Sequence, residues 1–157
     1  MTTQEMIIAS VASNIVALLL LLLSLHKKNL ARFFFAILFI GAAWTNWNMA
    51  HNHPADYLEY GKYAIGFYKK IIYGEFSKHI TGFVSMIAIA QLIIGLALLA
   101  RGIVVKLSCF AGIIFLLCIA PLGFGSAFLF SIIAAIDLFI LSKHDFQKNI
   151  FSNKWFV

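Results

Sequence analysis

The stretch His51-Asn52-His53-Pro54-Ala55-Asp56 holds the densest set of metal-competent donors in this chain. Two imidazoles and a carboxylate suit zinc or copper, and His79 adds a third nitrogen if the intervening segment folds back. On a helix the two rings of His-x-His point about 200° apart. Joint ligation therefore needs an extended backbone, which the position before a proline favours. The alternative for His51, His53 and His79 is interfacial, with hydrogen bonds to lipid headgroups or to Asn46 and Asn48. That alternative is preferred over a metal or a bis-histidine haem.

Two more polar residues stand inside apolar runs. Asp137 is an acid within a hydrophobic segment, the kind of position that marks an ion or substrate pathway in a membrane protein. It also lies about one turn from the segment's end, where Lys143, Arg101 or Lys106 could pair with it. Gln91 shares a helical face with Thr81, Ser85, Ala88 and Gly95, a small-residue stripe with one amide near its middle. Such stripes bring helices close and place a polar group between them, and contact with a quinone or another polar-headed lipid is the sharper alternative.

The motifs of familiar catalysis are missing. There is no glycine-rich phosphate loop, no His-Glu-x-x-His, no Cys-x-x-Cys and no nucleophile elbow. Six acidic residues offer no obvious general acid–base pair. An enzyme is therefore not the expectation.

The elements that must position these residues are hydrophobic helices. Of 157 residues, 62% are hydrophobic and 11% charged, against roughly 45–50% and 25% in a soluble domain. One aqueous core of this size cannot hide that surplus. The net charge of +6 comes from short basic clusters between apolar runs, where retained cytoplasmic charge is expected, so a nucleic-acid partner is not. Cys109 and Cys118 lie nine residues apart, about 13 Å along one helix, too far for a disulfide; both read as small buried hydrophobes.

Five spans are expected, at about 6–25, 33–50, 80–100, 103–120 and 126–141, in a single membrane domain over 1–157. The first carries Glu5 before it and His26-Lys27-Lys28 after it, the flanks of a retained helix rather than a cleaved signal. The last two are separated by Pro121-Leu122-Gly123-Phe124-Gly125, a turn-forming group. With the N-terminus outside and the C-terminus inside, Lys27, Lys28, Arg32, Arg101, Lys106, Lys143, Lys148 and Lys154 fall inside, and Lys62, Lys69, Lys70 and Lys78 outside. That distribution follows the positive-inside tendency.

Between the second and third spans lie all five tyrosines, Tyr57, Tyr60, Tyr63, Tyr68 and Tyr73, with Trp44 and Trp47 just ahead. Rings with one polar edge collect at the membrane–water boundary. Tyr57, Tyr60, Ala64, Phe67 and Ile71 follow a 3,4,3,4 spacing, Pro54 suits a first turn, and the charges suit a helix dipole. The pattern predicts one amphipathic helix over about 54–73, lying in the outer interface. It serves as a cap over the bundle mouth or, alternatively, as a substrate lid; Trp44, Trp47 and Tyr57 join Gln91 and Asp137 as candidate ligand contacts.

From Arg32 to about Leu141 the order of features resembles the DoxX-like family of small integral membrane proteins. Its elements here are the helix opened by Arg32 and running past Gly41, the polar loop with Pro54 and Tyr57, and the helix Gln91-Leu92-Ile93-Ile94-Gly95-Leu96-Ala97-Leu98-Leu99 ending in Arg101-Gly102. Two apolar runs follow. The resemblance implies a four-helix core with Met6–Leu25 added in front. Some members are similar to subunits of thiosulfate:quinone oxidoreductases, which implies an accessory role in quinone-linked redox chemistry with a membrane partner. Members often place an acid near the position of Gln91; the amide here departs from that pattern and puts a proton-linked role for this position in doubt. A small transporter or lipid-binding protein is the alternative, a metal enzyme using the three histidines the third. The setting expected is a bacterial cytoplasmic membrane, with a homo-oligomer possible.

Overall fold

The computed structural model describes residues 3–126 and 128–147, and within them every regular element is helical. This is the arrangement lipid demands, because a helix satisfies its own backbone donors and acceptors. Three stretches, Lys28–Asn52, Ile80–Leu98 and Ile103–Gly123, are long and apolar enough to cross a membrane; Val11–His26 and Phe128–Ser142 are shorter apolar helices. Lys148 and Lys154 of the expected inner charges lie outside the described residues.

The long helices are α1 (Thr3–His26), α2 (Lys28–Asn52), α4 (Ile80–Leu98), α5 (Ile103–Ile119) and α6 (Phe128–Ser142); a short α3 (Gly66–Ile71) lies between α2 and α4. A single residue, Lys27, turns α1 into α2. Gly102, at φ +61°, turns α4 into α5, a backbone state that residues with a Cβ avoid. Between α5 and α6 a 3₁₀ turn, Ala120–Ser126, pivots on Gly123 at φ +75°, where a Cβ would come within 2.7 Å of the Tyr63 carbonyl oxygen.

Packing closes these helices into a ring. α2 lies against α4, α4 against α5, α5 against α6, α6 against α1, and α1 against α2. Four of these pairs are antiparallel neighbours. A ring of five must contain one parallel pair, and here it is α1 with α6. The tightest seam joins α2 and α4, where a Cβ on Gly95 would meet Ile40 Cγ1 at 2.7 Å and the Ala36 carbonyl oxygen at 3.0 Å. The small-residue stripe therefore does what its composition predicts. Ala88, Gln91 and Gly95 are buried on it, and Thr81 Oγ1 donates to the Ala50 carbonyl at 2.9 Å.

Leucines and isoleucines point outward all round. Ile8, Leu18, Leu22, Ile93, Leu107, Ile114, Leu129 and Ile136 are exposed, as expected where the surrounding solvent is hydrocarbon. Cys109 is buried, but Cys118 is exposed on the outer side of α5. The buried reading of both cysteines thus holds for one only.

The aromatic segment departs from the expected single helix. It forms a 3₁₀ helix over Pro54–Lys62, a bend, α3, and a wide turn over Ile72–Phe76 whose Gly74 is non-helical at φ −96° and ψ −116°. Gly61, Gly66 and Gly74 weaken a continuous helix. Tertiary packing finishes the break, because the Tyr73 ring lies 2.6 Å from where a Cβ on Gly61 would stand. The face also differs. Tyr57, Ala64 and Ile72 are buried, whereas Phe67 and Ile71 of the expected stripe are exposed. The segment rests on the bundle as a cap, with Ile65 N–H on the Pro121 carbonyl at 3.2 Å and Tyr68 O–H on the Cys118 carbonyl at 2.8 Å.

Candidate functional site

All five long helices contribute to a cavity of about 460 Å³, open on one side, with Ser13 and Val16 from α1, Phe35 and Phe39 from α2, Gln91 from α4, Phe115 from α5, and Phe130 and Ser131 from α6 among its walls. The volume lies in the range of ordinary ligand pockets. Phenyl rings and aliphatic groups dominate the lining, and Gln91 supplies its amide. The helical register helps the convergence: residues 13–16 and 35–42 lie at similar distances either side of the Lys27 turn, and 115–119 and 130–134 lie either side of the Gly123 turn.

Gln91 is held by a short relay from the cap. Tyr57 O–H donates to Asn46 Oδ1 at 2.8 Å, and Asn46 Nδ2 donates to Gln91 Oε1 at 2.7 Å. Burial, with Tyr60 beside it, pushes the Tyr57 phenol up to about 12, so it stays a donor at every ordinary pH. The relay occupies the Gln91 carbonyl and orients its NH2 group. That group belongs to a residue of the cavity wall, where an amide N–H can donate to an acceptor such as a ligand carbonyl.

Asp137 is fully buried, and neither carboxylate oxygen has a hydrogen-bond partner. Of the two readings of Asp137, the ion pair is not seen among the described residues: Lys106 reaches Asp145 at 3.5 Å instead, and the Lys143 ammonium sits 4.6 Å above the Phe139 ring. Helical spacing puts Phe130, Ala134, Asp137 and Leu141 on one stripe of α6. The neighbouring stripe holds Leu138, which packs on Gly112 of α5. Asp137 therefore lies one turn beyond the cavity wall at Ala134, on the side away from the cap.

The other candidates are placed apart. Trp44 is 71% exposed, and Trp47 is exposed and stacked on His51 at 4.6 Å; both face outward rather than into the cavity. His51 Nδ1 bonds back to the Trp47 carbonyl at 2.8 Å within the last turn of α2. His53 caps that helix in a non-helical conformation, and His79 precedes α4. All three are exposed, and among the described residues no three His, Cys, Asp or Glu side chains gather as a metal site would require. The sequence offered Asn46 only as a partner for the histidines, because the fold alone brings it to Gln91, 45 positions away.

No family model matches this chain, and no curated protein or solved structure resembles it at a significant level.

Proposed function

We propose that this chain is a small integral membrane protein that holds an apolar molecule with a carbonyl or hydroxyl head, of the quinone class, in the five-helix cavity. The observation that carries the proposal is an aromatic and aliphatic cavity of about 460 Å³ meeting the oriented amide of Gln91. Phe35, Phe39 and Phe115 would flank the apolar body, and the Gln91 NH2 would donate to a head oxygen. A quinone supplies two-electron acceptor chemistry when bound. In this reading its role is that of an accessory subunit beside a redox partner in the membrane. The DoxX-like resemblance of residues 32–141 points the same way, with α2, α4, α5 and α6 as the four-helix core and α1 as the added span. In the bacterial cytoplasmic membrane, five spans with the basic end inside follow from the charge bias.

The test is native mass spectrometry of the untagged protein in lipid nanodiscs, with an absorption spectrum of the same sample. A quinone-class adduct, lost in Gln91→Leu, sustains the proposal. A protein carrying only bulk lipid, unchanged by added quinone, overturns it.

The buried, unpartnered carboxylate of Asp137 favours a second reading, a small transporter whose cargo or coupling cation visits that position. Asp137→Asn then abolishes uptake while leaving the folded yield intact. Uptake at the native rate in that variant counts against it.

A further inference from the structure

The basic end of the ring holds a second anomaly. Arg32, in the second turn of α2, is fully buried, and among the described residues none of its three guanidinium nitrogens has a hydrogen-bond partner. Five N–H donors left unused away from water are costly. Its guanidinium lies against the Phe146 ring, whose centroid is 4.6 Å from Arg32 Cζ. A ring in that position occupies the face of the guanidinium and leaves its in-plane N–H edge unspent.

Among the described residues no carboxylate completes it. Asp145 is drawn to Lys106 at 3.5 Å, and both Asp137 oxygens are themselves without a partner. Around Arg32 the described chain ends carry Lys27, Lys28, Arg101, Lys106 and Lys143, a field that suits an anion. The cover is slight. Phe146 belongs to the non-helical segment 143–147, held by the Gly102 N–H on the Phe146 carbonyl at 2.8 Å and by the half-exposed Lys106–Asp145 pair.

We propose that Arg32 anchors a phosphate-binding site, filled by the headgroup of an anionic phospholipid or by free phosphate, and that Phe146 closes it. Planar, bidentate recognition of phosphate oxygens is what a guanidinium edge does best. The basic end is where a helix bundle meets headgroups.

The experiment uses the full chain in phosphatidylcholine nanodiscs with a small fraction of phosphatidylglycerol, read by native mass spectrometry and by lipid-exchange rate. The native protein retains one phosphatidylglycerol at collision energies that strip the rest. Arg32→Gln loses it, and Arg32→Lys, which keeps the charge without the fork, weakens retention about tenfold or more. Displacement by millimolar inorganic phosphate identifies free phosphate as the occupant; retention against it identifies the lipid. Retention in Arg32→Gln equal to the native protein places the anion on surface lysines and overturns the proposal, as does the absence of any retained lipid or phosphate adduct. If Arg32→Gln does not fold, Phe146→Ala decides: faster exchange with the site still occupied supports the proposal, and unchanged exchange overturns it. Quinone binding at Gln91 is scored separately by absorbance, so neither result stands in for the other.

Discussion

Tyr57, Asn46 and Gln91 form a line of donors and acceptors in which each group fixes the next. Tyr57→Phe removes the donor to Asn46 Oδ1 and leaves a part-buried acceptor unsatisfied, at a cost of about 1–3 kcal/mol; denaturation of the detergent-solubilised variant measures it. The phenol's value of about 12 sets a pH limit with a definite sign. An acid whose folded value exceeds its unfolded one stabilises the fold fully below the unfolded value, near 10, and loses that contribution as pH rises through about 12. Absorbance titration of the native protein against Tyr57→Phe shows one tyrosine fewer in that late step. Asp137 runs the other way. Its carboxylate lacks a partner, so the neutral isostere Asp137→Asn unfolds no more readily than the native protein, and gains up to about 1–3 kcal/mol where the charge is unpaired. A clear loss of stability in that variant reveals a partner for the carboxylate.

At the scale of elements, the α2–α4 seam and the 143–147 segment behave oppositely. Gly95→Val forces a side chain against Ile40 and the Ala36 backbone and costs about 1–3 kcal/mol or more. Gly82→Ala, on the same helix with open space around it, is neutral or gains up to about 1 kcal/mol from helix propensity. Thermal denaturation of the pair separates packing from propensity. The 143–147 segment is held more lightly and carries its own titrating group. His144, packed edge-on to Phe146 at 4.7 Å, is lowered first by burial and then by Lys28 and Arg32, with Asp145 opposing; Asp145 is shared with Lys106, and Lys143 lies on Phe139. A histidine lowered in the docked state favours docking above its ordinary value near 6.5 and opposes it as pH falls through the docked value. Hydrogen exchange at the Gly102 amide, corrected for intrinsic rates, accelerates as pH falls below the ordinary histidine range; a pH-independent protection factor removes His144 from the account.

At the scale of the whole molecule, the sequence told most where hydrocarbon dictates the answer. Spans expected at 80–100 and 103–120 appear as Ile80–Leu98 and Ile103–Ile119, because lipid leaves a long apolar run no other structure. The Gln91 stripe was legible for the same reason. Periodicity failed over 54–73, since the 3,4,3,4 spacing is blind to the Tyr73 ring folding over Gly61. Arg32 looked like an ordinary flanking charge, and only the return of Phe146 after α6 buries it. Contacts between residues more than a hundred positions apart leave no mark on local spacing. Charge asymmetry was legible and persists in the fold: Lys27, Lys28, Arg32, Arg101, Lys106 and Lys143 gather at one end, whereas at the other Lys62 and Lys78 are matched by Glu59 and Glu75 at 2.5 and 2.6 Å.

The ring is sealed by its first and last helices, and this has a consequence for how the protein comes into being. During synthesis α1, α2, α4 and α5 reach the membrane as an open arc with a greasy inner wall facing lipid tails. Only the arrival of α6 beside α1 turns that wall into an interior. The inner wall is therefore the last part of the fold to be completed.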